Sequence, residues 1–315
     1  MKKIYLLSFM LAFMLASPLA FGQTFTDGLM MPKGDLCTGF MYVHDQWTDY
    51  WEGKHERDNG NIGTVSTQTG MWIGTYGVTS RLNVLATLAY VKTHASMGTL
   101  ADMKGLQDMS LGVKYNFARI KNDDYTFKAF GAFSFAMPVT DYTPDYLPLA
   151  IGSASKRLMY RLNGYFRLEK GWFTNVSGGY TWRSNVTLDR PAHFVDGEGN
   201  VRSNEAFLPN QFDLFAAVGF HKGAIQGQLQ YSGMYTAGGD DIRKQAMPEV
   251  GNQMNFGKIG ALAMYYVPVV KGLAVRGSVD YTVAGRNVGR STTILGGILY
   301  TIHFIKSEES QPLQP

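Results

Sequence analysis

The run Tyr76-Gly-Val-Thr-Ser-Arg-Leu-Asn-Val-Leu-Ala-Thr-Leu-Ala-Tyr90 decides how this chain is read. Apolar residues lead up to a short, mostly polar turn, Thr79-Ser-Arg-Leu82, and resume directly after it. The apolar stretches are too short for a membrane helix, which needs about 20 residues, and too long for an ordinary surface hairpin. A hairpin whose apolar side chains face lipid, with Arg81 at the water boundary, meets both limits.

The pattern recurs. Period-two alternation, the mark of a strand, runs through Thr126–Phe135, where Phe127, Ala129, Gly131, Phe133 and Phe135 share a face. Leu158, Tyr160, Leu162, Gly164, Phe166 and Leu168 alternate with Arg161, Asn163 and Arg167. Ile225, Gly227, Leu229 and Tyr231 alternate with glutamines, and Leu273, Val275, Val279, Tyr281 and Val283 with Arg276, Ser278 and Asp280. About twelve strands follow, near 38–51, 63–78, 83–94, 108–118, 125–137, 156–168, 172–184, 208–220, 224–235, 255–267, 273–285 and 291–304. Most exceed the roughly 5–6 residues of globular strands and reach the about 9–11 that a tilted membrane strand needs.

Short turns at 79–82, 119–124, 169–171, 221–223 and 268–272 alternate with longer loops near 52–62, 95–107, 138–155, 185–207 and 236–254, and a smaller one near 286–290. Such asymmetry is typical of outer-membrane barrels, with periplasmic turns and external loops. An even strand count places both termini in the periplasm. A soluble β-sandwich would have shorter strands and more charge on its polar face. The expected fold is therefore all-β, an antiparallel transmembrane β-barrel of the outer-membrane type. A closed barrel satisfies every backbone group in lipid without leaving an edge.

Bulk properties agree. Met1-Lys2-Lys3, an apolar run from Ile4 to Ala16, and small residues at Ala20 and Gly22 read as a signal peptide over 1–22. No later window holds 18 apolar residues, so no helical span is expected. The single cysteine, Cys37, excludes an intramolecular disulfide framework. A formal charge of +4 without a basic block gives no sign of nucleic-acid binding. The expected organisation is 1–22 signal peptide, 23–37 periplasmic N-terminal segment, 38–304 barrel and 305–315 polar tail. Whether 23–37 fills the lumen or lies below it stays open.

Trp47, Tyr50, Trp51, Tyr76, Tyr115, Phe117, Trp172, Tyr180, Trp182, Phe220, Tyr235, Tyr265, Tyr266 and Tyr300 crowd the strand ends and read as interfacial girdles. The opposite faces carry Lys114, Lys128, Arg161, Arg167, Arg183 and Arg276, with Asp213 and Asp280. Charge is costly toward lipid and tolerated in a wet lumen, so these are the candidate lumen wall. They either favour anionic or carboxylate-bearing solutes or brace the barrel by pairing with each other. The loop Pro138–Ile151, rich in proline and aromatics, offers Asp141, Tyr142, Asp145 and Tyr146 as constriction candidates. It either folds inward, forms a ligand-binding surface, or packs over the mouth.

Other motifs read blandly. Asp196-Gly-Glu-Gly-Asn200 spaces its oxygens like part of a calcium loop but lacks the remaining ligands. Met30, Met31, Cys37, Met41 and His44 suggest a soft-metal site, except that Met41 and His44 fall on opposite faces of a regular strand. The histidines, His44, His55, His94, His193, His221 and His303, have no nucleophile signature beside them. No cofactor and no enzymatic activity are expected.

Several segments carry a family resemblance: Gly28-Leu-Met-Met-Pro-Lys-Gly34, Tyr76-Gly-Val-Thr-Ser-Arg-Leu-Asn-Val84, Lys104-Gly-Leu-Gln-Asp-Met-Ser-Leu-Gly-Val-Lys-Tyr115 and Pro138-Val-Thr-Asp-Tyr142. They resemble the outer-membrane proteins grouped as "meta-pathway of phenol degradation" transporters, a family akin to the long-chain fatty-acid transporter barrels. The resemblance spreads over most of the mature chain. It implies passage of small hydrophobic or aromatic compounds across a Gram-negative outer membrane, with lipid, a small-molecule solute and the barrel-assembly machinery as partners. The polar tail after Phe304 departs from the family's aromatic end. The expected function is passive transport of small hydrophobic, aromatic or carboxylate-bearing solutes. A structural or adhesive barrel with a plugged lumen, or a barrel hydrolase, are the alternatives. Oligomeric state does not follow from the chain.

Overall fold

The computed structural model describes residues 24–195, 199–242 and 248–304. The expected signal peptide at 1–22, the tail at 305–315 and the centre of the acidic turn at 196–198 lie outside the described residues.

Among those residues the chain forms a closed antiparallel barrel of twelve strands. They are β1 (Asp35–Trp47), β2 (Val65–Gly77), β3 (Leu82–Ala95), β4 (Met103–Lys121), β5 (Tyr125–Pro138) and β6 (Arg157–Leu168). β7 (Trp172–Arg183), β8 (Gln211–Lys222), β9 (Ile225–Thr236), β10 (Asn255–Tyr266), β11 (Leu273–Arg286) and β12 (Thr292–His303) complete it. Each strand pairs with the next. β12 closes on β1, in register from Asp35↔His303 to Gln46↔Thr292.

Burial runs opposite to that of a soluble protein. On β3, Val84 and Tyr90 are exposed while Asn83 and Thr93 are buried. On β6, Tyr160 and Leu162 are exposed while Arg161 and Asn163 are buried. Side chains alternate across a strand, so one face of each strand presents apolar groups outward and the other turns polar groups inward. Only lipid makes that arrangement favourable, as it needs no polar cover. The turn that opens β3 closes on itself, with Thr79 Oγ1 accepting from the amides of Arg81 (3.1 Å) and Leu82 (3.0 Å).

All short turns share the end that holds Asp35 and His303, and the longer loops share the other. Three small hairpins decorate the loop end: Asp49–Glu52 with His55–Asp58, Val186–Thr187 with Glu205–Ala206, and His193–Val195 with Gly199–Val201.

Two differences from the sequence reading have physical causes. β4 begins at Met103, five residues before its expected start at 108, because a bulge opposite Ala89 breaks the alternation. Leu88 pairs with Met109 and Tyr90 with Leu106, so Gln107 and Asp108 together face one residue of β3. The bulge re-aims Asp108 into the barrel, where its side chain is buried. Two expected girdle residues also turn inward. Tyr266 follows outward-facing Tyr265 and must take the opposite face, where it stacks on His221. Trp47 packs on the buried cluster of Val65, Ala95 and Leu149.

Candidate functional site: a lumen filled from below and capped above

The chain before β1 sits inside the barrel. Asp27 organises it as an Asx-type turn: its carboxylate accepts from the Leu29 amide at 3.0 Å, from the Thr24 hydroxyl at 3.0 Å and from the Thr24 amide. The backbone carbonyls on the other side meet wall side chains. Lys114 Nζ donates to Thr24 O (3.1 Å) and Asp27 O (2.5 Å), Asn163 Nδ2 to Phe25 O (2.7 Å), and Asn175 Nδ2 to Thr26 O (2.8 Å). Four successive carbonyls are thus satisfied from β4, β6 and β7, as buried backbone groups require. Lys114 also ion-pairs with Asp27 Oδ1 at 2.9 Å and is fully buried.

Glycines permit this close approach. A Cβ on Gly28 would lie 2.1 Å from the Tyr165 ring, and one on Gly112 would lie 2.8 Å from the Phe25 ring. Met30 packs on Phe130, Tyr165 and Phe173, and Met31 joins Cys37, Met41, Tyr266 and Leu299 in a second cluster. His44 faces away from Met41 and bonds to Gln46, and among the described residues no three His, Cys, Asp or Glu side chains group as metal ligands.

The eight charged residues singled out in the strands all turn their side chains inward, in several different ways. Arg161 ion-pairs with Asp213 and donates to Ser177 Oγ at 2.7 Å, in space left by Gly179. Asp280 accepts from Gln230 Nε2 at 2.7 Å. Lys128 lies over the Tyr165 ring at 5.8 Å, Arg167 donates to the His221 carbonyl, and Arg276 has a buried Nε without a partner. Arg183 donates from Nε to Pro209 O at 2.5 Å. Asp27, the partner of Lys114, and two further lumen pairs, Lys258–Asp45 and Arg157–Asp108, were missed in reading the alternation. Lys258 and Thr293 both bind Asp45 across β10, β12 and β1. Arg157 and Lys258 share parity with inward neighbours, so carrying the alternation further along each strand would have found them. Asp27 precedes any strand, and Asp108 sits on the bulge.

At the loop end, residues 139–156 fold into the mouth. Leu149 is fully buried, its carbonyl accepts from Thr93 Oγ1 at 2.6 Å, and Ile151 packs on Ala89 and Val91. Of the four constriction candidates, Tyr142 donates to Asp108 Oδ1 at 2.6 Å and accepts from the Ala154 amide. Asp145 accepts from Arg190 Nε at 2.7 Å, Tyr146 accepts from the Ala101 amide at 2.8 Å, and Asp141 is exposed. Burial pushes the Tyr142 hydroxyl above its ordinary pKa, and its bond to the Asp108 carboxylate adds to that. Asp108 also pairs with Arg157 at 2.5 Å. Val186, Leu188, Ala206, Leu208 and Val250, packed with Leu147, extend this cap.

Beneath the cap lies a cavity of about 320 Å³. Val91, Ile151, Leu208 and Met234 give it an apolar wall, and Thr67, Thr69 and Arg183 give it polar points.

No protein-family model matches the chain, and no curated relative matches it. A solved structure does. The crystal structure of the COG4313 outer membrane channel from Pseudomonas putida F1 superposes with a TM-score of 0.70 at 12% identity, covering 90% of this chain and 100% of that one. This chain is an outer-membrane β-barrel. The apolar outer belt and the closed strand order place it in the outer membrane of a Gram-negative cell. At that identity the likeness speaks for the fold alone. The KdgM porin (TM-score 0.41, 9% identity, 84% of this chain and 99% of that one) and a TodX monoaromatic hydrocarbon channel mutant (0.43, 10%, 87% and 91%) are barrels too.

Proposed function

We propose that the protein is a gated outer-membrane channel for small hydrophobic, aromatic or carboxylate-bearing solutes. One observation carries this reading: an apolar-walled cavity of about 320 Å³ lies in the lumen, between a loop cap and a lumen-filling N-terminal segment. Ligand sites are typically concave and mostly apolar, with a few convergent polar groups. An open porin would instead have a continuous wet passage, so solute passage here requires residues 24–31 to move aside. The barrel shared with an outer membrane channel supports the same reading.

The hydrogen-bonded N-terminal segment also favours a second reading, a structural barrel that never conducts. Uptake by liposomes holding the full-length mature protein separates them. The channel reading expects flux of a small aromatic solute well above that of empty liposomes, with little flux of a sugar of similar size. Absence of any solute flux favours the structural barrel.

A further inference from the structure

We propose that the cavity under the cap is a binding site for a small amphipathic monocarboxylate, anchored by Arg183; its use in uptake rests on the channel reading above. Arg183 ends β7 and stands directly opposite Arg157 on β6. Two like charges in cross-strand register repel unless each is balanced. Asp108 balances Arg157 at 2.5 Å. Among the described residues no carboxylate pairs with Arg183.

The loop preceding β8 fixes the guanidinium by one edge. Asn210 Oδ1 accepts from the Arg183 amide at 2.8 Å, and Pro209 O accepts from Nε at 2.5 Å. Nη2 is buried behind the wall without an acceptor among the described residues, so the guanidinium, which also lines the cavity, carries a charge that no carboxylate there balances. A buried donor without a partner is destabilising, and an unpaired cation more so. A carboxylate arriving in the cavity supplies the missing charge beside a guanidinium, the group that recognises it best.

The rest of the wall sets the body of the ligand. Val91, Ile151, Leu208, Met234 and Val250 make most of it apolar, and the remaining polar groups, such as Thr67, Gln107 and Asn252, are neutral, so nothing there balances a second charge. The volume of about 320 Å³ is roughly twice the ~150 Å³ of an engineered cavity that takes benzene. One ring with a short acidic side chain fits. A neutral hydrocarbon would fill the space and leave the Arg183 charge unbalanced.

Isothermal titration of the full-length mature protein in lipid nanodiscs tests this, with phenylacetate as the probe and neutral phenylacetamide as its near-isostere. Phenylacetate is expected to bind at least tenfold more tightly than the amide. Arg183→Gln is expected to erase that preference, and Met234→Trp, which fills the cavity, to weaken both probes. Heat-modifiability on gels shows that each variant remains a folded barrel. Equal affinity for acid and amide in the unsubstituted protein, or a preference that survives Arg183→Gln, overturns the site. Liposome flux is read separately. Acid-selective binding without flux upholds the site while the channel reading falls, and flux without acid-selective binding does the reverse.

Discussion

Lys114 Nζ lies 2.9 Å from Asp27 Oδ1 inside the barrel, with no access to solvent. This contact ties the chain before the first strand to the wall of the fourth. Breaking a buried ion pair by removing one partner costs about 3–5 kcal/mol. The barrel closes through strand pairs that do not involve Asp27, so the loss falls mainly on the segment around it.

Lys114→Ala should therefore free residues 24–31 while leaving the barrel folded. Protease applied to the turn end should cut the segment in the variant and spare it in the unsubstituted protein. Asp27→Asn should have a smaller effect, because an amide oxygen still accepts from lysine. Equal protection in all three proteins would refute the tether.

Tyr142 predicts a pH effect at the other end. Its hydroxyl titrates above its ordinary value in the folded protein, so the folded state holds that proton more tightly than the unfolded one. The contribution is fully present below the unfolded tyrosine pKa of about 10 and declines as pH rises beyond it. A spin label at Ser153→Cys should gain mobility progressively as pH rises above about 10. With Tyr142→Phe that pH dependence should vanish, the label being mobile throughout. An equal rise in the phenylalanine variant would assign it to another group.

Much of this architecture is legible in the chain, for a physical reason. Lipid on one side and a polar lumen on the other force strict alternation, so β6, β7, β9 and β11 fall within a residue or two of their expected limits. Legibility fails where two residues face one, as at Gln107 and Asp108, and where both faces are apolar, as beside Phe40 and Met41 on β1. The charged side chains of the wall, the Arg161–Asp213 pair included, could be recognised from alternation, but the buried partner of Lys114 could not. Asp27 lies in no strand, and its pairing with Lys114 exists only once the segment folds back into the barrel. The composition of the loop 139–156 signals stiffness. That Leu149 and Ile151 dock on β3 depends on the shape of the mouth, which no local pattern encodes.

The facing of β6 predicts opposite responses at adjacent positions. Leu162 is exposed toward lipid, and a lysine there should cost about 2–4 kcal/mol near the bilayer midplane. Asn163 donates to Phe25 O in the lumen, so Asn163→Ala should loosen the N-terminal segment and leave barrel stability within about 1 kcal/mol. Urea unfolding in lipid vesicles measures the first, and protease access at the turn end the second. Equal destabilisation by both would contradict the assigned faces.

Leu149 is a fully buried apolar side chain of the docked loop. Leu149→Ala should cost about 2–5 kcal/mol at its site, felt as local opening rather than global unfolding because the loop lies outside the strand pairing. Hydrogen exchange should rise over 139–156 and stay unchanged in β6 and β7. Uniform exchange along the chain would show that the cap is not a separate unit.

The central claim is that solute crosses this barrel only when residues 24–31 leave the lumen, and a disulfide lock tests it most directly. A Cβ at Gly28 would lie 2.5 Å from Tyr165 Cβ, and with the ring removed a backbone shift of about 1 Å brings the pair to the usual ~3.5–4.5 Å of a bridge. Flux of phenylacetate into liposomes bearing Gly28→Cys/Tyr165→Cys should be abolished when the pair is oxidised and restored by reductant. Undiminished flux through the oxidised, locked protein would contradict the account.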